Sequence, residues 1–498
     1  MKSWFKNNYI LLSIILLGII IRFLFLLKYG DFWDDEMFSF TYAQKAWPEG
    51  LIYWLWETNP PLHMLILKIW FFVFPATEFW TRIPSLIFGT ATILAVYKLA
   101  KLIWDKNVAL LSALFIALHS YNVFWSATAR VYSLLMLLSS LSVYFFFKIF
   151  FYNSPNKKDK IFLAIINTLL LLSHLSAVLL IFTQALIIFA INSKKFLQWC
   201  KINLIPFIIG ASWLIPSFLI KQHNQLEKTW LLNMRHNLNT IVGPIINLIA
   251  GIQYTSLGFL IVSVLLALVL IVSILQIKKM DIKYASLLTF IFFPIFATAL
   301  FKIWHVKMLI YTIPFWAIII AFSLKKISPN KIWAGLLIFA ICLPGIFTAY
   351  QSIPLTYWPQ ISDYIEKESE TEEKTAVVYS NFMLRAQIER YLNLPLKFYA
   401  FDLALDHGMS WDDLIIKKNY LFLQFPPDDI TNWFIGKQLN QYDKIILLQG
   451  EYSYTVFLNE ILEKNNFSIQ KERTKANLSG NYYLSTYVKN DSTTPAIQ

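Results

Sequence analysis

Cysteine is nearly absent from this chain of 498 residues, and charge is sparse. Only Cys200 and Cys342 occur, both in or beside apolar runs, which excludes a disulfide framework and a cysteine-built metal site. Charged residues make up 15% of the chain against 57% hydrophobic ones, which excludes an ordinary globular protein. The C-terminal part has no glycine-rich phosphate loop, so a nucleotide site of that kind is excluded there. A net charge of +13 invites a nucleic-acid reading. The lysines lie instead in short clusters between apolar runs, and that is a topology signal.

Long apolar runs are what the chain has in plenty. They lie near 9–27, 80–100, 107–119, 131–151, 161–173, 175–191, 202–219, 256–277, 284–301, 308–324 and 332–350, and predict an α-helical polytopic membrane protein with about eleven transmembrane helices. The first run is long for a signal peptide, lacks a small-x-small cleavage pattern and precedes further spans, so it reads as a retained helix. Lys2 and Lys6, Lys101 and Lys106, Lys157, Lys158 and Lys160, Lys194 and Lys195, Lys278, Lys279 and Lys283, and Lys325, Lys326 and Lys331 occupy alternate connections. The positive-inside rule places all six in the cytoplasm, with an odd number of spans and an outer C-terminus. Acids and the scattered histidines gather in the other connections, so the active face is expected outside.

After about Gln351 the texture changes. "TAVVYS", "LKFYAFD", "NYLFLQF", "KIILLQG" and "NYYLSTYVK" read as strands, with a helical pattern in "FLNEILEKN". The expected division is a transmembrane domain over 1–350 and a soluble, extracytoplasmic α/β domain over 351–498.

The first outer connection is neither a span nor a simple loop. "GDFWDDEMFSF" sets Asp31, Asp34, Asp35 and Glu36 at the mouth of the first hydrophobic helix. "DDEMFSFTYAQKAW" predicts an interfacial helix with Phe38, Tyr42 and Trp47 toward lipid. A second follows "WETNPPLHML", with Asn59 as N-cap and Pro60 as first helical residue. Together they would hold Asp34, Asp35 and Glu36 at the depth of Glu57 and His63. One aspartate there would only favour a helix start. Several acids repel one another unless a cation, a proton or a basic substrate group sits among them.

The order of motifs carries a likeness. An Asp-Glu pair after the first span, "PPLH", "TRIPSLIFGT", "ALHSYNVFWSATARVYSLLMLLSSLSVYF" and "LLLLSHLSAVLL" resemble the GT-C glycosyltransferases. The branch resembled is that of the protein O-mannosyltransferases and the bacterial aminoarabinose and lipopolysaccharide sugar transferases. The likeness covers roughly residues 10–190, is vague to 350, and does not reach the tail. One departure is "FKIWHVKMLIYTIP", where His305 and Lys307 stand in place of an arginine often found before the last family-like span.

The resemblance implies an enzyme that moves a sugar from a polyprenyl-phosphate carrier to an acceptor hydroxyl outside the cytoplasm. Nucleotide sugars stay inside the cell, so an outward-facing transferase needs a donor held in the lipid. The reaction needs a base for the acceptor proton and cationic donors for the departing phosphate. Asp35, aligned with the first acid of the family's pair, is the expected base, with Glu36 as the second catalytic carboxylate. Glu57 and His63 either orient Asp35 or join it in holding a divalent cation, magnesium or manganese. For the phosphate the candidates are Arg130, Tyr132 and Lys307, then His174 and Arg82, with Asp34 counted among the substrate-binding residues. Arginine offers a fork to phosphate oxygens and lysine a point charge.

Plainer readings stand beside these. Arg82 pairs with Glu78 one turn away or snorkels; His174 serves its turn; Tyr132 is an interface aromatic. Arg22, deep in the first helix, reaches an outer carboxylate or braces another span. Lys221 to Pro244 reads as a lid bringing Arg235 and His236 inward, or as disorder. Expected partners are the lipid-linked donor, a glycan, lipid or protein acceptor, and membrane lipids, but no nucleic acid. The Lys/Asn/Ile-rich composition points to a bacterial inner membrane. A lipid-linked sugar transporter or flippase is the alternative class, but it calls for mid-span charge and broken helices, and apart from Arg22 the sequence shows neither. An O-antigen-type polymerase or ligase would concentrate arginines in a late outer loop, whereas here acids mark the first.

Overall fold

The computed structural model describes residues 2–57, 59–152, 156–222, 245, 247–251, 256–276, 282–301, 305–328, 330–353, 358–369, 374–379, 388, 390–392, 397–400, 439–450, 462–475 and 482–490. They form two compact units, one from Met1–Lys28 and Ser39–Ile353, the other from Tyr29–Phe38 and Pro354–Gln498.

The larger unit is helical. Its order is α1 (Lys2–Lys28), α2 (Asp34–Gln44, whose first turn counts with the smaller unit), α3 (Glu49–Trp56), α4 (Leu62–Trp70), α5 (Glu78–Ile103), α6 (Lys106–Leu118), α7 (Ser120–Ser126), α8 (Tyr132–Phe150), α9 (Lys157–Leu171), α10 (Ala177–Ile191) and α11 (Ser193–Gln222). Helices Ser256–Gln276, Ile282–Leu300, Ile313–Ile327 and Lys331–Gln351 follow. Each predicted apolar run is thus a helix. Among the described residues seven are long and apolar enough to cross a membrane, and α6 with α7 makes an eighth, bent by 57°. Ala177–Ile191 and, within Ser256–Gln276, Ser263–Leu275 are shorter apolar helices among the described residues.

The lysine-bearing connections share one end of this bundle. Asp105 accepts the first backbone N–H groups of α6 at 2.8 and 3.1 Å and pairs with Lys325. Lys148 meets Asp159 at 2.9 Å, Lys195 donates to the Phe150 carbonyl at 2.8 Å, and Lys283 donates to the Tyr152 hydroxyl at 3.1 Å. Tyr152 in turn donates to the carbonyl of Leu102. The alternation read from lysines is therefore a spatial grouping too.

The break between α6 and α7 corrects the expectation of unbroken spans. His119 is extended (φ −69°, ψ 116°), which frees the last carbonyls of α6 where no water can reach them. Arg22 from α1 satisfies them. Its Nη1 donates to Ala117 O at 3.2 Å and its Nη2 to Ile116 O at 3.2 Å, while Nε donates to Ser126 Oγ at 3.2 Å and Nη2 to Asn122 Oδ1. Of its two readings, Arg22 takes the brace. Gly89 on α5 lets α7 come this close, because a Cβ there would collide with Ser126 Oγ.

A closed polar ring sets the packing of α8 to α11. Ser142 donates to Asn167 at 2.6 Å, Asn167 to Gln184 at 3.3 Å and to Asn203 at 2.7 Å, and Gln184 back to Ser142 at 2.7 Å. All four are buried, and each contributes a hydrogen bond across a helix boundary.

The first connection folds as three short helices, α2 to α4, where two were expected. Pro61, not Asn59, precedes the first residue of α4, and it has no side chain with which to cap. The Leu62 N–H instead donates to Leu172 O at 2.9 Å, pairing an orphan donor of α4 with a carbonyl just past α9. Tyr42, expected toward lipid, is buried beneath α3, where the Trp54 indole donates to its carbonyl at 2.9 Å. Trp47 stays exposed.

The smaller unit carries helix Trp358–Glu368 and a five-stranded sheet of order β2-β1-β3-β5-β4: β1 (Thr375–Tyr379), β2 (Lys397–Ala400), β3 (Lys444–Gly450), β4 (Phe467–Lys475) and β5 (Tyr482–Lys489). Strands β2, β1 and β3 are parallel; β5 runs antiparallel to both β3 and β4. Ile445, Ile446, Leu447 and Leu448 are all buried, which is why the central strand reads as an unbroken apolar run. The missed strand, β4, is a bulged edge strand whose sequence includes "KER", a run of charges that hides a strand from pattern reading. "NYLFLQF", most of "FLNEILEKN", and residues 223–244 with Arg235 and His236 lie outside the described residues.

Candidate active site

Six of the residues singled out from sequence converge in the larger unit, at the end opposite the lysine connections. Arg130 stands in the turn between α7 and α8. Its N–H donates to Thr128 O at 2.8 Å, and its carbonyl accepts from Ser85 Oγ of α5 at 3.3 Å. So held, the buried guanidinium donates to Ser39 Oγ of α2 at 3.0 Å and lies 3.7 Å from the Glu57 carboxylate. Glu57 follows α3, where the chain turns extended, and it accepts from Asn59 Nδ2 at 3.3 Å. Arginine and glutamate here are both about 90% enclosed, so their attraction acts through protein and not through water.

His63 on α4 and His174 in the turn after α9 come to the same place through the Leu62–Leu172 bond. His174 Nδ1 accepts the Ser176 N–H at 3.1 Å and lies 2.8 Å from the Ser176 hydroxyl. Its ring stands 5.8 Å from that of Tyr132, the first residue of α8. Burial, and then the Arg130 charge, push His63 down to about 3. Burial, then Arg130, Lys307 and His305, do the same to His174. Both imidazoles are therefore neutral near pH 7, and the positive charge of the cluster rests on Arg130 and Lys307. His174 can take part as a neutral hydrogen-bonding group, not as a cation.

Lys307 lies in a one-turn helix, Val306–Leu309, capped where His305 Nδ1 accepts the Lys307 N–H at 3.1 Å. Its ammonium sits 5.8 Å from the Trp125 ring centroid and 5.9 Å from that of Tyr132, at the outer limit of a cation–π contact. The Trp125 and Tyr132 rings are 4.3 Å apart. Lysine thus faces an aromatic pair and does not reach outward as an anchor. Arg82 is enclosed by protein on α5, which removes its snorkelling reading.

Trp125 and Ser39 are the members the sequence did not single out, and Asn59 was read there only as a helix cap. Trp125 stood inside the quoted "FWSATAR"; Ser39 and Asn59 carry no signal beyond position, since a serine or asparagine gains such a role only from what folds against it.

Asp34, Asp35 and Glu36 open α2 within the smaller unit. Asp35 is half-buried and Glu36 fully buried. The Trp33 N–H points at Glu36 Oε2 at 3.5 Å, the geometry of a capping box in which the third helical residue reaches back to the N-cap. Among the described residues no three His, Cys, Asp or Glu side chains group to hold a metal ion.

A family model described as dolichyl-phosphate-mannose-protein mannosyltransferase matches residues 58–219, a stretch that contains His63, Arg82, Arg130, Tyr132 and His174. No curated protein sequence matches the chain. Among solved structures, the chain is similar to ArnT from Cupriavidus metallidurans in the apo state, at TM-score 0.62 and 11% identity, covering 97% of this chain and 98% of that one. The same enzyme bound to undecaprenyl phosphate gives TM-score 0.59 and 11% identity over 99% and 100%. The Archaeoglobus fulgidus oligosaccharyltransferase tethered to an acceptor peptide gives 0.55 and 12% over 89% and 69%. The family match overlaps the stretch that carries the resemblance read from the motifs, and the fold is shared with ArnT and with the archaeal oligosaccharyltransferase.

Proposed function

We infer that this chain is a membrane glycosyltransferase that moves a sugar from a polyprenyl-phosphate donor to an acceptor hydroxyl on the extracytoplasmic face. The observation that carries the reading is that the charges of Arg130 and Lys307 both bear on His174, whose ring lies beside that of Tyr132, at the bundle end away from the lysine connections. Two fixed cations among neutral histidines suit a phosphate whose charge grows as it leaves. In the reaction the acceptor oxygen attacks the anomeric carbon, the bond from that carbon to the phosphate oxygen breaks, and Asp35 takes the acceptor proton. Arg130 and Lys307 receive the departing polyprenyl phosphate. Glu57 holds the guanidinium in place and is itself held by Asn59. The similar enzyme with undecaprenyl phosphate bound supports a lipid-phosphate carrier.

Purified protein incubated with a panel of polyprenyl-phosphate sugars is expected to release polyprenyl phosphate from at least one. No release from any donor, with the fold intact, removes the reading.

The shared lysine end supports, by the positive-inside rule, an orientation with that end in the cytoplasm, and the Lys/Asn/Ile-rich composition supports a bacterial inner membrane. In a chain whose native cysteines are replaced, Lys367→Cys is expected to react with an impermeant thiol reagent in intact cells and Lys158→Cys is not. Both positions are exposed. The reverse pattern inverts the topology.

A further inference from the structure

Helix Trp358–Glu368 begins with an orphan N–H on Trp358, has no N–H at Pro359, and has no acid in its own first turn. Its missing acceptor comes from 327 residues away: the Trp358 N–H donates to Asp31 Oδ2 at 2.8 Å. The indole N–H of the same tryptophan donates to Phe32 O at 3.2 Å. Trp358 and Phe32 are both 1% exposed, and the Arg390 guanidinium stands 5.2 Å from the Phe32 ring centroid.

The helix is itself anchored. The Tyr364 hydroxyl is 3.0 Å from Thr486 Oγ1 on β5, and Ser362 Oγ donates to Ile388 O at 3.3 Å. An unbroken path therefore runs from the sheet through Tyr364 and Trp358 to Asp31 and Phe32. Trp33 follows, and then the first turn of α2 with Asp35.

We propose that the C-terminal domain positions the acidic stretch, and that Asp31 is a positioning residue that works by accepting the Trp358 N–H and takes no part as acid or base. A carboxylate at a helix N-terminus is favoured by the free N–H groups and the helix dipole, so Asp31 is locked as the helix folds. Asp35, four residues on, inherits a fixed backbone. The inference rests on the transferase reading for its effect on turnover, but its structural half does not.

Two substitutions in the full-length protein separate the roles. Asp31→Asn keeps an oxygen for the N–H and removes the charge; Asp31→Ala removes both. In the resting protein, Asp31→Ala is expected to raise amide hydrogen exchange across residues 32–38, and Asp31→Asn to restore protection. In transfer assays Asp31→Ala is expected to lower kcat about tenfold with donor KM within about twofold, a displacement effect, and Asp31→Asn to recover most of it. Equal loss of kcat in both variants with wild-type exchange would make Asp31 a chemical group and overturn the proposal, as would wild-type exchange in Asp31→Ala. Should Asp31→Ala fail to fold, Trp358→Phe keeps a buried ring and deletes only the indole donor. It is expected to raise exchange over 32–38 in part, and unchanged exchange there counts against the proposal. Because exchange is read without substrate, an inactive wild-type protein would remove the transferase reading and leave the positioning result standing.

Discussion

Asp35→Asn is expected to insert and fold as the wild type does and to lose sugar transfer by at least about a hundredfold, the scale of a missing general base. Asparagine keeps the shape and cannot take the acceptor proton. The residue is half-buried at the first turn of α2, so it is reachable by an acceptor, whereas its neighbour Glu36 is enclosed and faces the Trp33 N–H. Glu36→Gln supplies the control, since glutamine reaches the same N–H and suits the same capping position. It should keep turnover within severalfold of wild type. Single-turnover rates for the two variants decide the matter: a dead Glu36→Gln beside an active Asp35→Asn exchanges their roles.

Arg130→Ala is expected to lower kcat by about a hundredfold to a thousandfold, the loss seen when one donor to a developing anion is deleted. Truncation also leaves the enclosed Glu57 carboxylate without its cation, with the Asn59 bond remaining, and a buried charge so uncompensated threatens folding by itself. Arg130→Ala combined with Glu57→Gln removes that charge. The double variant should regain the thermal stability of the wild type while its kcat stays low. Recovered turnover in the double variant would show that Arg130 serves only to neutralise Glu57. Arg130→Lys should fall between, since a point charge cannot hold Ser39 and Glu57 with the two arms the guanidinium uses.

How far the site was legible depended on the kind of signal each residue emits. Arg130, Tyr132, His63 and His174 sit in short patterns whose order along the chain carries the family likeness, and they were named from those patterns. Their protonation was not legible, because the neutrality of His63 and His174 comes from burial and from the charge of Arg130, a residue distant in sequence. The start of α4 was misplaced for the same reason. Asn59 and Pro60 have good local propensity for a helix start, yet the carbonyl of Leu172 lets the helix begin without a side-chain cap.

By itself the sequence determined the helical character of each apolar run, the common side of the lysine connections and the strands β1, β2, β3 and β5. Those are properties of single segments, set by the transfer free energy of residues taken a few turns at a time and by their alternation. Only the tertiary structure decided that Arg22 would brace a broken span, that Lys307 would face Trp125 and Tyr132, and that Asp31 would begin a helix 327 residues away. Each is a buried polar group whose partner must be found because water is excluded, and which partner it finds depends on where the rest of the chain has packed.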